Sequence, residues 1–197
     1  MKRFDPKCSE RIWTYADYCS WPDNGRWELI DGVAHNVPPS PSRKHQQVLG
    51  GLVVQFTNYF HLTGRKQEVY MTPFDVRLPS SAGINDDDIT TVVQPDIFVV
   101  CNLEKLDDRG CFGAPDLIVE ITSPSTAFYD QKVKLELYER TGVKEFWIIQ
   151  PVDKTVMVFR LTDTGAYGCP EMYGRCDLVP VSLLGDLRVT LEDVFSE

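Results

Sequence analysis

The chain has 197 residues, 43% of them hydrophobic and 25% charged, with a formal net charge of −9. That length suits one domain with a sizeable core, and no window nears the roughly 20 apolar residues that span a bilayer. An acidic balance of this size excludes a protein that coats nucleic acid non-specifically, because such binding rests on Lys and Arg neutralising phosphates.

The first residues, MKRFDPKCSERIW, contain no apolar signal-peptide core, so a cytoplasmic protein without membrane contact is expected. Residues 10–22 read as a short helix that stops at the turn cluster Trp21-Pro22-Asp23-Asn24-Gly25. RWELIDGVAHNV alternates as two strands around an Asp31-Gly32 hairpin turn. After the loop PPSPSRKH, Ser42 is the expected N-cap of a helix from about Lys44 to Leu62, with Val48, Leu52, Val53, Phe56 and Tyr59 at helical spacing and Gly64 as C-cap. EVYMTPFDVRL is a strand broken or bulged at Pro73, SSAGINDDD an acidic loop, and VVQPDIFVV a strong strand. PDLIVEIT is the next strand, followed by a helix and then by the strands KEFWIIQP and TVMVFRL. From YGCPEMYG onward the expectation is a small β addition with LEDVF as a terminal helical turn.

This order predicts an α/β or α+β sheet with a mixed centre and flanking helices. Residues 1–197 are expected to form one domain, with residues 1–25 and 165–197 as peripheral additions. Six cysteines are scattered without zinc-ribbon spacing, so reduced and mostly buried thiols are expected.

Three charged residues stand where apolar ones belong. Glu120 lies inside LIVEI, a strand apolar on both faces as central strands are. The alternatives for it are a helix-capping carboxylate or an arginine partner. Asp116 lies roughly 13 Å along the same strand and is therefore too far to share a small cation with Glu120. On the following helix, at about 100° per residue from Val133, Leu137 falls near 40°, Tyr138 near 140° and Leu135 near 200°. Lys134 falls near 100° within that apolar arc, whereas Lys132, Glu136, Glu139 and Arg140 fall at roughly 240–340°. An i,i+4 pair with Asp130 would contribute about 0.3–0.5 kcal/mol and does not account for an inward lysine.

Asp96 opens its strand after Pro95, where an Asx-type turn is one role and a ligand site the other. Two carboxylates from adjacent strands, Asp96 and Glu120, would supply the hard oxygens that Mg²⁺ (or Mn²⁺) prefers, with water and phosphate completing its shell. A lysine beside them can orient the attacking water or stabilise charge on a phosphoryl transition state.

WELIDG, RKHQQVLGGL, VVQPDIFVV, GAPDLIVEITSPST, the D-x₃-K-x₃-Y of Asp130, Lys134 and Tyr138, and GVKEFWIIQP together resemble the Uma-two family. These are bacterial proteins placed in the PD-(D/E)XK restriction-endonuclease-like superfamily, and the resemblance runs in order from about Trp27 to Pro151. It implies a restriction-endonuclease-like mixed sheet flanked by helices, with Asp96 and Glu120 as the metal carboxylates. The lysine usual two residues after the glutamate is absent, since Thr122 stands there; the resemblance implies that Lys134 takes its role. It also implies Glu28 as an assisting, second-metal ligand and His45 as a proton-handling or phosphate-contacting group. The expected activity is that of a Mg²⁺-dependent endonuclease hydrolysing DNA, in a class whose members commonly work as homodimers. The alternative is a catalytically weak binding module for a nucleic-acid or protein partner, which the acidic charge and Thr122 favour.

Overall fold

The computed structural model describes residues 11–22, 26–37, 41–122 and 129–196, the Asp130 side chain excepted. The expected turn at 23–25 and the possible Asp130–Lys134 pair lie outside the described residues. In chain order the elements are α1 (Tyr15–Cys19), β1 (Arg26–Ile30), β2 (Val33–Val37), α2 (Arg43–Thr63), β3 (Glu68–Met71), β4 (Val76–Arg77), β5 (Val92–Val93) and β6 (Ile97–Val100). They continue with β7 (Leu106–Asp107), β8 (Gly110–Phe112), β9 (Leu117–Ile121), a π-helical segment Tyr129–Lys134 that runs into α3 (Leu135–Thr141), β10 (Glu145–Gln150) and β11 (Thr155–Arg160). β12 (Glu171–Gly174), β13 (Leu178–Pro180), β14 (Arg188–Thr190) and α4 (Leu191–Val194) complete the chain. The fold is α+β, with mixed sheets flanked by helices.

Local chemistry sets most of the boundaries. Thr14 and Asp17 form a capping box that starts α1. Asp31 (φ 51°) and Gly32 (φ 77°) both adopt positive φ, as a tight two-residue hairpin turn requires, and β1 and β2 pair antiparallel around them. Ser42 accepts from the His45 backbone N–H to open α2, and Gly64 closes it with φ 63°.

Sheet order is β12-β11-β10-β9-β6-β3 in one six-stranded sheet and β2-β1-β5-β4-β8-β7 in the other. β9 and β10 run parallel, joined through the helical segment that ends in α3, while β6 and β9 are antiparallel. Two stretches change sheet within their length, one expected to break at Pro73 and one expected to be a single strand. EVYMTPFDVRL splits at Pro73 into β3 and β4, and VVQPDIFVV splits at Pro95 into β5 and β6. Proline has no N–H to offer a ladder, so a strand that meets one can leave its sheet there. β3 pairs β6 and β4 pairs β5, so both prolines mark one corner between the sheets.

The alternation expected for PDLIVEIT is what positions the functional groups. Leu117, Val119 and Ile121 of β9 pack with Leu52 and Phe56 of α2, Val99 of β6, and Trp147 and Ile149 of β10. Ile118 packs on the other side, with Phe98, Phe146 and Ile148 against Leu137 and Tyr138 of α3 and Val76 and Val93 of the second sheet. Glu120 shares that second face by strand alternation. Val179, Val181, Val189, Leu191, Val194 and Phe195, from the segment expected as a peripheral addition, lie in the same cluster as Phe56 and Trp147.

The described cysteines are free thiols, but Cys19, Cys169 and Cys176 are exposed and Cys111 alone among them is fully buried, which corrects the expectation of mostly buried thiols. Cys19 is the last residue of the short helix α1, while Cys169 and Cys176 flank the edge strand β12, and such positions leave side chains in solvent. Among the described residues no helix is long and apolar enough to cross a membrane.

Candidate active site

Four elements converge beneath the second face of β9. Glu28 comes from β1, Glu120 from β9, Lys134 from the end of the π-helical segment and Tyr138 from α3. Lys134, Glu28 and Glu120 are 5%, 2% and 4% exposed, so the charges are genuinely interior. The Lys134 Nζ donates to Glu120 Oε1 at 2.8 Å and lies 3.1 Å from Glu28 Oε1. The Tyr138 hydroxyl donates to the same Glu120 Oε1 at 2.7 Å. Burial, and then the charge of Glu120, holds this hydroxyl well above the ordinary tyrosine pKa, so it stays a donor. Glu28 is held in turn by the Gln94 backbone N–H at 2.8 Å on Oε1 and by the Tyr129 hydroxyl at 3.4 Å on Oε2.

The π-helical turn explains how one short segment serves both glutamates. In an α-helix, residues i and i+5 are roughly 140° apart. A π-helix closes its turn at i+5, so Tyr129 and Lys134 come to one side and both reach Glu28. The following α-helical register then places Lys134 and Tyr138, four residues apart, on Glu120. Lys134 is inward and Lys132 exposed, as the wheel predicts, although the wheel assumes α-helical geometry where the backbone is π-helical.

Asp96 stands immediately before β6. Ile97 pairs with Val119, so continuing the antiparallel register by one residue sets Asp96 across from Glu120. Asp96 Oδ2 accepts the Ile121 backbone N–H at 2.7 Å and lies 3.1 Å from His45 Nε2. Its Oδ1 accepts no hydrogen bond from the described residues. Asp116 lies at the other end of β9, bound to Lys144 at 2.7 Å and to the Cys101 N–H at 2.8 Å, apart from these groups. Thr122, where a lysine is usual, donates its hydroxyl to the Ile149 carbonyl and contributes no charge.

Among the described residues two interior carboxyl groups lie on the Lys134 ammonium, an arrangement of hard oxygen donors that suits a cation. Among the described residues no group of three His, Cys, Asp or Glu could hold a metal by itself, which disfavours a closed zinc-type cage. Mg²⁺ needs less from the protein, since one or two carboxylates suffice when water and phosphate supply the remaining oxygens. Asp96, with an oxygen left over, and Glu120 across from it fit that donor set.

The sequence matches the model of the Uma2 family, described as "Putative restriction endonuclease", over residues 15–192. The chain belongs to the Uma2 family. A solved structure from Anabaena variabilis, described as a putative nuclease belonging to DUF820, has the same fold as this Uma2 chain. It superposes with a TM-score of 0.72 at 21% identity, covering 93% of this chain and 97% of that one. No curated protein matches.

The sequence names Glu28, Glu120 and Lys134, which the fold of this Uma2 protein joins in one cluster, and Asp96 and His45, which it joins in a separate pair, with Asp96 in register across from Glu120. Sequence reasoning misses the contributions of Tyr138, Tyr129 and the Gln94 backbone. The wheel places Tyr138 in the inward apolar arc, yet a buried tyrosine hydroxyl needs a partner, and its position four residues after Lys134 is the available signal.

Proposed function

We propose that this Uma2 protein is a Mg²⁺-dependent endonuclease of the PD-(D/E)XK type that hydrolyses phosphodiester bonds in DNA. The observation that carries the reading is the cross-strand placement of Asp96 opposite Glu120, with Lys134 on Glu120. The family description and that of the Anabaena protein, both nucleases by their printed words, support it.

Asp96 and Glu120 would hold the cation. Bound there, Mg²⁺ supplies charge neutralisation for the phosphate and a lowered pKa for attacking water. Lys134 brings a positive charge beside Glu120, where it stabilises negative charge developing on a phosphoryl group or orients water by donation. Glu28 and Tyr138 hold that ammonium and that carboxylate in place, which restricts both to one geometry before substrate arrives. Burial of the cluster keeps bulk water from screening these charges.

The test is cleavage of single- and double-stranded DNA with Mg²⁺ or Mn²⁺, by wild type and by the variants D96N, E120Q and K134M. Each substitution is expected to lower the rate by about 10²- to 10³-fold. Cleavage that persists in the D96N/E120Q double variant overturns the mechanism. The net charge of −9 favours a second reading, a binding module without activity. Calorimetry separates the two, because a module of that kind takes up no Mn²⁺ at millimolar concentration.

A further inference from the structure

His45 belongs to the first turn of α2, and its ring bridges that helix to the corner where Asp96 enters β6. Its side chain is 12% exposed. The two ring nitrogens are placed very differently. Nε2 lies 3.1 Å from Asp96 Oδ2, an oxygen that also accepts the Ile121 N–H at 2.7 Å. Nδ1 is buried and has no hydrogen-bond partner among the described residues.

We propose that His45 is a positioning residue for Asp96. This rests on the metal-dependent reading of the site and assigns His45 a part in it. The 3.1 Å approach of Nε2 to Oδ2 is a close polar contact, while the N–H that Oδ2 accepts is that of Ile121. What the ring holds is one carboxylate oxygen. Oδ2 accepts the Ile121 N–H of β9 and has the His45 ring of α2 against it. A carboxylate flanked in this way is restricted in turning away from β9, and Oδ1, which accepts no hydrogen bond from the described residues, is the oxygen left for a cation. Sequence reasoning treated His45 as a group that acts on substrate; the geometry makes it act through Asp96.

The test uses the full chain with H45Q and H45N. A glutamine amide reaches the place of Nε2, while the shorter asparagine amide reaches only that of Nδ1. Two readouts are taken: Mn²⁺ affinity by calorimetry, and metal-free exchange protection of the Ile121 amide by NMR. H45N is expected to bind Mn²⁺ about 10-fold more weakly and to lose protection at Ile121, while H45Q stays near wild type in both. An effect on folding alone would move both variants together and would spread beyond Ile121. The proposal is overturned if H45Q fails as H45N does, or if H45N matches wild type. A wild-type protein that takes up no Mn²⁺ refutes the metal reading instead. In that event the Ile121 amide still decides: equal protection in all three proteins overturns the role given to His45.

Discussion

Each charged residue in the interior has an identifiable partner that makes its burial tolerable, and the partners differ in kind. Glu28 and Glu120 share Lys134, whereas Asp116 takes Lys144 and a backbone N–H. For Asp116, burial raises the carboxyl pKa, but the Lys144 hydrogen bond, the Cys101 N–H and the lysine charges outweigh it, and the net direction is down. A carboxyl lowered on folding contributes stability that is present above its unfolded value, about 3.9, and is lost as pH falls through the folded one. Lys144 is 65% exposed, so solvent screens much of that pair. D116N should therefore cost about 1–2 kcal/mol near neutral pH. The gap from wild type should close as the pH is taken below about 4. Urea melts across that range check it; a gap that widens on acidification would contradict the sign.

At the scale of single elements, the π-helical segment Tyr129–Lys134 is where helix geometry departs from the α-helical expectation. It lets one side of a short helix carry Tyr129, Lys134 and Tyr138 onto two glutamates from different sheets. Deleting the exposed Lys132 removes the extra residue of the wide turn. A plain α-helix then sets Tyr129 and Lys134 four residues apart, about 40° from each other on one face, so both still reach Glu28. The expected outcome is a folded protein, by circular dichroism and by its melt, whose DNA cleavage stays within about 10-fold of wild type. A loss of about 100-fold or more would show that the wide turn itself is required.

Across the whole molecule, the two sheets and α2 enclose the site by burying apolar residues from distant parts of the chain. Val179, Val181, Leu184, Leu187, Val189, Leu191, Val194 and Phe195 pack into the cluster that also holds Phe56 and Trp147. Ending the chain after Gly174 removes all eight. Loss of even one large buried apolar side chain typically costs about 2–5 kcal/mol, comparable to much of a domain's stability. The truncated chain is expected to lose near-ultraviolet circular dichroism and to bind hydrophobic dye, as a collapsed but unpacked state does. A shortened chain with a sharp cooperative melt would show the tail to be an addition.

Much of the architecture was legible because it follows from local chemistry. The Asp31-Gly32 turn, the Ser42 and Gly64 caps and the alternation of PDLIVEIT each depend on residues adjacent in sequence. Inward placement of Lys134 was equally readable, since an apolar arc surrounds it. The strands broken at Pro73 and Pro95 were less so. A proline says that a ladder stops, whereas which sheet the chain joins next depends on residues far away.

The amino-acid sequence by itself determined the family, the mixed fold, and which charged residues stand in apolar surroundings, because periodicity and motif spacing are properties of the chain alone. The tertiary structure decided how those residues group. It set Asp96 across from Glu120, hung both Glu28 and Glu120 on Lys134, and turned His45 toward Asp96. Such groupings depend on strand register, on a single wide helical turn and on two sheets meeting at a proline corner, and none of these is settled by neighbours along the sequence.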